Sequence, residues 1–148
     1  MDEKNEFIHY FRESQLKFPR LYTIILTKMG ITLPQYALLN QLMASEAMPM
    51  TQASKELHIS KPAVTNLVDR LEKSKCIKRL PHPKDRRVYL LQIQPKGKKM
   101  VRNIQTYVLR ILLKTLTQFS PAEKRTINRF YALLSETMGG VLMNPKQI

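Results

Sequence analysis

The chain has 148 residues, of which 43% are hydrophobic, and a formal net charge of +14 at pH 7. This length suits one compact domain or two small subdomains, and the apolar content suffices for a buried core. A single cysteine excludes an intrachain disulfide framework and a cysteine cluster for zinc, so we expect no cofactor and, unless the fold gathers the three histidines, no metal.

The positive charge is concentrated in the middle of the chain. Residues 51–102 contain fourteen Lys or Arg and four Asp or Glu, whereas residues 1–50 contain five of each and residues 103–148 contain six and two. A net charge of +10 in the middle segment predicts a polyanionic partner, such as double-stranded DNA.

A membrane surface would also attract this charge, but the cations do not follow one amphipathic helix, and no apolar run is long enough to span a bilayer. The polar, acidic N-terminus is unlike a signal peptide. We therefore expect a cytoplasmic protein with no membrane partner.

The first elements along the chain are predicted to be two helices. Residues 2–28 have a helical pattern, which Pro19 should kink or break, and Gly30 fits the left-handed residue that follows a helix end. Thr32, with Gln three residues later, is typical of the capping box that begins a helix. We expect this second helix to end near Ser45.

A helix-turn-helix unit is predicted next. After an extended link at residues 48–50, Thr51 caps a short helix over residues 52–57, and Ser60 caps a longer helix that ends near Lys73. A plain helical hairpin is the alternative interpretation of this unit.

The longer helix has one apolar face and one polar face. Apolar residues recur at i, i+3, i+4 and i+7 and should form one buried stripe: Val64, Leu67, Val68 and Leu71. The opposite face carries short polar side chains between cations, which fits a helix in a DNA major groove but also fits an ordinary solvated face. The residues of the unit predicted to contact DNA are Thr51, Gln52, Ser60, Lys61, Pro62, Ala63, Thr65, Asn66, Asp69, Arg70 and Lys73.

Two short strands follow, at residues 77–80 and 88–93. The loop between them, residues 81–87, contains two prolines, which forbid a regular ladder there. A helix followed by a cationic hairpin is the outline of a winged helix-turn-helix, in which the hairpin, or wing, reaches the DNA backbone or the minor groove. The wing residues predicted to contact DNA are His82, Lys84, Asp85, Arg86 and Arg87.

The rest of the chain is predicted to form two further helices. Residues 95–118 are apolar over more than one stripe in their second half, so we expect a second copy of the chain to cover them. Ser120 begins a final helix over residues 121–138, which Gly139 ends, and residues 141–148 are either frayed or packed on the partner. The side chains predicted to point inward from the final helix are Ile127, Phe130, Tyr131, Leu134 and Met138.

Residues 67–99 resemble the MarR family of bacterial transcription regulators. The resemblance is carried by L-V-D-R-L-E-K, by the D-x-R of the wing, and by a strand that ends shortly before Gly97. The chain departs from the family at Lys75, where members usually have Gly, and at Gln94, where they usually have Thr.

The resemblance implies a mainly α fold with a small β-hairpin wing. Residues 31–102 would form the winged helix-turn-helix DNA-binding domain, and residues 1–30 and 103–148 the helical dimerisation region. The protein would act as a homodimeric repressor on a pseudo-palindromic operator and be released by a small-molecule effector. In the D-x-R motif, Asp85 would hold the guanidinium of Arg87. The alternatives are a sequence-tolerant architectural DNA-binding protein and a winged-helix module that binds other proteins.

Enzymatic chemistry has little support in this sequence, which lacks G-x-S-x-G, a phosphate-binding glycine loop and H-E-x-x-H. Cys76 lies between two lysines, which could activate a redox-sensing thiol. A small buried residue at the joint between helix and strand is the interpretation that we favour. By the same reasoning we expect His82 to be a polar loop residue rather than a pH switch.

Overall fold

The computed structural model describes residues 2–45 and 47–144. This part of the chain forms six α-helices and three β-strands. In chain order they are α1 (Glu3–Met29), α2 (Leu33–Ala44), β1 (Met48–Pro49), α3 (Met50–Leu57), α4 (Lys61–Lys73), β2 (Ile77–Pro81), β3 (Tyr89–Ile93), α5 (Pro95–Leu116) and α6 (Pro121–Met143). The chain divides into two compact units between Val108 and Leu109, within α5.

The junction between the first two helices follows the local sequence signals. Gly30 adopts a left-handed conformation (φ +67°), and its N–H and that of Ile31 donate to the last carbonyls of α1, including Leu26 O. Thr32 and Gln35 form the expected capping box at the start of α2. Both predictions are confirmed.

Of the kink or break predicted at Pro19, the break is wrong, because α1 continues through this residue. A proline removes only its own N–H donor from the helical ladder, and the turns on either side keep their bonds. The carbonyl of Pro19 remains an acceptor and also receives a hydrogen bond from Thr23 Oγ1 (2.9 Å).

A three-stranded antiparallel sheet lies in the first unit, with β3 between β1 and β2. The sequence predicted only the hairpin of β2 and β3 and assigned residues 48–50 to an extended link. Instead Met48 pairs with Leu91 as part of an edge strand, and α3 begins at Met50. Thr51 therefore lies inside α3 and does not cap it, since Pro49, with φ −60° and ψ 141°, occupies the capping position without a side-chain hydrogen bond.

The core of the first unit joins α2, α4, the sheet and the first half of α5. The apolar stripe predicted for α4 is confirmed, since all four of its residues are buried. The largest fully buried side chains are Leu38, Leu39, Leu42, Val64, Val68, Cys76, Ile77, Leu91, Val101 and Ile104. The apolar face of α4 packs on this core together with the sheet, and the opposite, polar face of α4 remains exposed.

The final helix differs from its prediction in two ways. It continues through Gly139 and Gly140 to Met143, because an isolated Gly lowers helix propensity without forcing the chain to leave the helix. None of the residues of α6 is buried, so the apolar side chains predicted to point inward are exposed or half-buried in the single chain. Of the predicted tail, residues 145–148 lie outside the described residues.

The described helices were also compared with the dimensions of a lipid bilayer. None of those in residues 2–45 and 47–144 combines the length and the apolar character that crossing a membrane requires.

Candidate nucleic-acid interface

Helix α4, the reading helix, begins with a local capping arrangement. Ser60 Oγ accepts a hydrogen bond from the N–H of Ala63 (3.3 Å), and Pro62 occupies the first turn, where a missing N–H costs nothing. Thr65 and Asn66 lie on the exposed face, and Thr65 Oγ1 donates to the carbonyl of Lys61 (3.1 Å). The exposed face can therefore offer short hydrogen-bonding side chains to base edges.

The other residues predicted for this unit are also mostly exposed. The exposed ones are Thr51, Gln52, Ser60, Lys61, Pro62, Asp69, Arg70 and Lys73, whereas Ala63 is half-buried. Gln52 Nε2 donates to Glu56 Oε1 (2.6 Å), so its amide is already held along α3.

A tight turn sets the angle between α3 and the reading helix. His58 adopts the left-handed conformation (φ 52°) directly after α3, and its N–H donates to the carbonyl of Lys55 (3.3 Å). Ser54 Oγ donates to the carbonyl of Ile59 (2.7 Å), which ties the turn back to α3. The helix-turn-helix predicted from the spacing is thus present.

The wing loop is closed by its own backbone. The N–H of His82 donates to Val88 O (3.0 Å), the N–H of Val88 donates to Asp85 O (3.0 Å), and the N–H of Lys84 donates to His82 Nδ1 (3.2 Å). Lys84, Asp85, Arg86 and Arg87 are exposed, and His82 is half-buried. The loop therefore presents three exposed cations on a compact turn.

The D-x-R motif works differently from what the resemblance implied. Asp85 Oδ1 accepts from the backbone N–H of Arg87 (2.9 Å), as in an Asx turn. The guanidinium of Arg87 has no ion pair within residues 2–45 and 47–144, so the prediction that Asp85 holds it is wrong for this structure. With only one residue between them, the backbone N–H is the donor nearest the carboxylate.

Arg79, which lies on β2, was not among the residues predicted for this site. Its guanidinium donates to the carboxylates of Asp69 and Glu72, and its backbone N–H donates to Glu72 Oε1 (3.0 Å). Burial disfavours the charged form of Arg79, but the hydrogen bonds that the guanidinium donates to Asp69 and Glu72 outweigh burial, so the pKa of Arg79 is raised. Asp69, predicted as a DNA contact, is thus engaged within the protein. The only sequence signal was that Asp69 and Glu72 lie one helical turn apart. Arg79 is too distant from them in sequence for helical spacing to identify it as their partner.

Cys76 is part of the buried core of the first unit. Cys76 is fully buried at the joint between α4 and β2, with Sγ 3.9 Å from the carbonyl oxygen of Ser74. Across the described ranges, no three His, Cys, Asp or Glu side chains lie close enough together to hold a metal ion.

The chain was then compared with known proteins. The MarR family model matches residues 29–88, the region that contains α2, the helix-turn-helix and the wing loop. Over this region the chain is similar to the MarR family. Members of this family are transcriptional regulators, and the expected fold class, mainly helical with a winged helix-turn-helix, is confirmed.

Individual relatives agree with this assignment. YsmB, an HTH-type transcriptional regulator of Bacillus subtilis, is 29% identical over 82 residues, which are 55% of this chain and 56% of YsmB. The match therefore spans about half the length of that curated relative. The crystal structure of a transcriptional regulator from Thermotoga maritima is 25% identical, with a TM-score of 0.76 over 96% of this chain and 98% of that one. A mutant of MepR from S. aureus, bound to an oligodeoxyribonucleotide, shares the fold at 21% identity, with a TM-score of 0.72 over 89% and 97% of the two chains.

Two positions where the chain departs from the MarR pattern have local consequences. Lys75, where Gly is usual, adopts φ 60° after the end of α4, a conformation that costs a residue with a Cβ about 1 kcal/mol. Gln94, where Thr is usual, precedes α5, and its carbonyl accepts from the N–H of Lys98 (3.0 Å). Its side-chain amide donates to Gln92 O (3.5 Å), whereas a Thr hydroxyl at this position could cap the helix.

Gly97, which contributes to the resemblance, is required by packing. A Cβ at this position would lie 2.4 Å from the carbonyl oxygen of Cys76. The N–H of Gln94 donates to the same carbonyl (2.8 Å). The start of α5 therefore packs closely against the joint that connects the reading helix to the wing.

Proposed function

We propose that this protein is a sequence-specific DNA-binding regulator that represses transcription as a homodimer on a pseudo-palindromic operator. The observation that carries this proposal is the arrangement of the reading helix and the wing. An exposed face with short polar side chains lies beside a hairpin with three exposed cations, in the segment that carries most of the positive charge. Residues 31–102 would form the DNA-binding domain, and residues 1–30 and 103–148 the dimerisation region.

The two parts of this surface would have different tasks. Thr65 and Asn66 are short enough to meet base edges in the major groove, which is where sequence can be read. Arg86 and Arg87 on the wing would contact phosphates or a narrow minor groove. The structural relative MepR, which is bound to an oligodeoxyribonucleotide, supports DNA as the partner of a chain with this fold.

The homodimer is proposed from apolar surface that the single chain leaves uncovered. In the second unit, an apolar cavity of about 460 Å³ lies between the end of α5 and α6, and its lining includes Leu112, Phe119 and Tyr131. In the first unit, α1 exposes Phe11 and Leu16. Exposed apolar patches of this kind mark protein interfaces, and a second copy of the chain is the partner that a symmetric operator requires.

A small-molecule effector would release the repressor. In the first unit, a cavity of about 300 Å³ is lined by Phe18, Tyr22 and Leu26, with polar atoms supplied by Gln15 and Thr23. Its size and its mixture of aromatic and polar groups suit a small aromatic ligand. Binding there would act by changing the spacing of the two reading helices in the dimer.

Selection of bound sequences from a random DNA pool tests the proposed function. We expect a pseudo-palindromic consensus whose half-sites are separated by about one helical turn, roughly 10 bp. The selected operator and a random duplex are then compared at several salt concentrations. Binding without sequence preference would favour the architectural alternative, and the absence of any salt-dependent binding would favour a protein-interaction module.

A further inference from the structure

Arg79 connects the wing to the reading helix through three hydrogen bonds. Its guanidinium donates to Asp69 and to Glu72 of α4, and its N–H donates to Glu72 Oε1. We propose that Arg79 is a positioning residue that holds the wing and the reading helix at a fixed angle, so that both can contact the same operator half-site. This inference rests on the proposed DNA-binding function.

The geometry suits such a clamp. Asp69 and Glu72 are three residues apart and therefore lie on one side of the helix, where the planar guanidinium can engage both. The side chain of Arg79 is 21% exposed, whereas those of Asp69 and Glu72 are 56% and 38% exposed. A partly buried cation is screened less by salt than a solvated one, so the clamp should persist at physiological ionic strength.

The hydrogen bond from the backbone N–H of Arg79 connects α4 to the main chain of β2. The N–H of Arg79 belongs to β2, so Glu72 holds the strand itself and not only the end of a flexible side chain. Arg79 also pairs across the hairpin with Leu91 of β3. Movement of the wing relative to the reading helix would therefore break the contacts of Arg79 with both carboxylates.

Arg79 also changes the charge of the reading helix. Asp69 lies on the exposed face, one turn from Thr65 and Asn66. An unpaired carboxylate there would repel DNA phosphates at the surface proposed to meet the groove. Pairing with Arg79 offsets this charge without placing another long cation on the reading face.

The alternative role for Arg79 is direct contact with a phosphate. The two roles predict different salt dependence, because each phosphate contact that is lost reduces the slope of log affinity against log salt by about one unit. A positioning residue should instead change the ratio of operator to random-DNA affinity and leave the slope on random DNA unchanged.

The test uses Arg79→Met and, as a matched control, Lys78→Met in the full-length protein. Lys78 is the exposed neighbour on β2, and within the described ranges it has no ion pair, so both variants lose one positive charge from the same strand. The measurements are hydrogen exchange of the amides of residues 77–93 without DNA, and binding to the selected operator and to random DNA across a salt series.

For Arg79→Met we expect the ratio of operator to random-DNA affinity to fall about tenfold, the effect of losing a charged hydrogen-bond network. We expect faster exchange of the β2 and β3 amides, with the salt slope on random DNA unchanged from that of the wild type. Arg79→Lys should recover part of the ratio, since an ammonium can hold one carboxylate but cannot match the planar fork.

Unchanged exchange and an unchanged affinity ratio in Arg79→Met would overturn the inference. A salt slope on random DNA about one unit lower than that of the wild type, with the ratio intact, would identify Arg79 as a phosphate contact and would also overturn the inference. If Arg79→Met does not fold, the partial loss expected for Arg79→Lys decides the question by the same measurements. Failure of the wild-type protein to bind any DNA would instead overturn the proposed function, and the exchange data would still show whether Arg79 holds the wing.

Discussion

The two units of the chain differ in how far they bury their large apolar side chains. All residues that are buried in the described part of the chain lie at or before Val108. After Val108, large apolar side chains also recur along the helices, but they are exposed or half-buried. The exposed ones include Leu109, Ile111, Leu112, Leu113, Phe130, Tyr131, Leu133, Leu134 and Met138.

The first unit therefore has its own buried core, whereas the second unit buries none of its large apolar side chains within the single chain. In the first unit, α4 buries a single stripe against α2 and the sheet, and its other face is polar. In the second unit, the large apolar side chains of α6 are exposed or half-buried, and none is buried within the chain. In the proposed function, the first unit contacts DNA, and the exposed apolar side chains of the second unit and of α1 take part in dimerisation.

The largest expected effect concerns the core of the first unit. Leu38 is fully buried, so Leu38→Ala should cost about 2–5 kcal/mol of unfolding free energy through lost burial and the cavity that remains. Leu33→Ala is the matched control on the same helix, because Leu33 is 62% exposed and its truncation should cost less than about 0.5 kcal/mol. Urea denaturation at two protein concentrations gives both values. Equal losses of unfolding free energy in Leu38→Ala and Leu33→Ala would contradict the assignment of a buried core to the first unit.

The second prediction addresses the apolar surface of α6. Tyr131→Glu should weaken dimerisation about a hundredfold, because a carboxylate would be buried where the partner covers an apolar cavity. Thr126→Glu makes the same change of charge elsewhere on the exposed surface of α6 and should have little effect. Sedimentation at micromolar concentration measures both. A wild-type protein that is a folded monomer at this concentration would contradict the division between the units.

The third prediction separates two kinds of contact within the first unit. Asn66→Ala should cost about 1–3 kcal/mol of operator binding and flatten preference at the core of the half-site, with nonspecific binding retained. Arg87→Ala should weaken operator binding strongly and lower the salt slope by about one unit. Binding of both variants to operator and random DNA over a salt series distinguishes these effects. If Asn66→Ala weakens both DNAs equally, α4 is not the reading element.

The smallest expected effect concerns the strained backbone after the reading helix. Lys75→Gly should stabilise the protein by about 1 kcal/mol or less, because Gly adopts φ 60° without a Cβ penalty although it adds freedom to the unfolded chain. Lys75→Ala removes the same charge but keeps the Cβ, so it should give no such gain. Thermal unfolding of the three proteins compares them. A gain for Ala equal to that for Gly would mean that charge, and not strain, limits stability at this joint.

Several helix ends whose signals lie within a few residues were predicted correctly from the sequence, although the local signals at Pro19, Thr51 and Gly139 misled. The capping box of Thr32, the cap at Ser60 and the left-handed Gly30 depend on contacts between near neighbours. The buried stripe of α4 depends only on helical periodicity. The prediction of the wing succeeded because two prolines in a short basic segment restrict the backbone wherever it lies.

The tertiary structure decided the features that join distant segments. Strand β1 exists because Met48 meets Leu91, and Asp69 is engaged because Arg79 reaches it from another element. Periodicity specifies which face of a helix is apolar but not what will cover that face, which is why the inward orientation expected for α6 failed. Local propensities act over one or two turns, whereas strand pairing, ion pairing and burial depend on which surfaces the folded chain brings together.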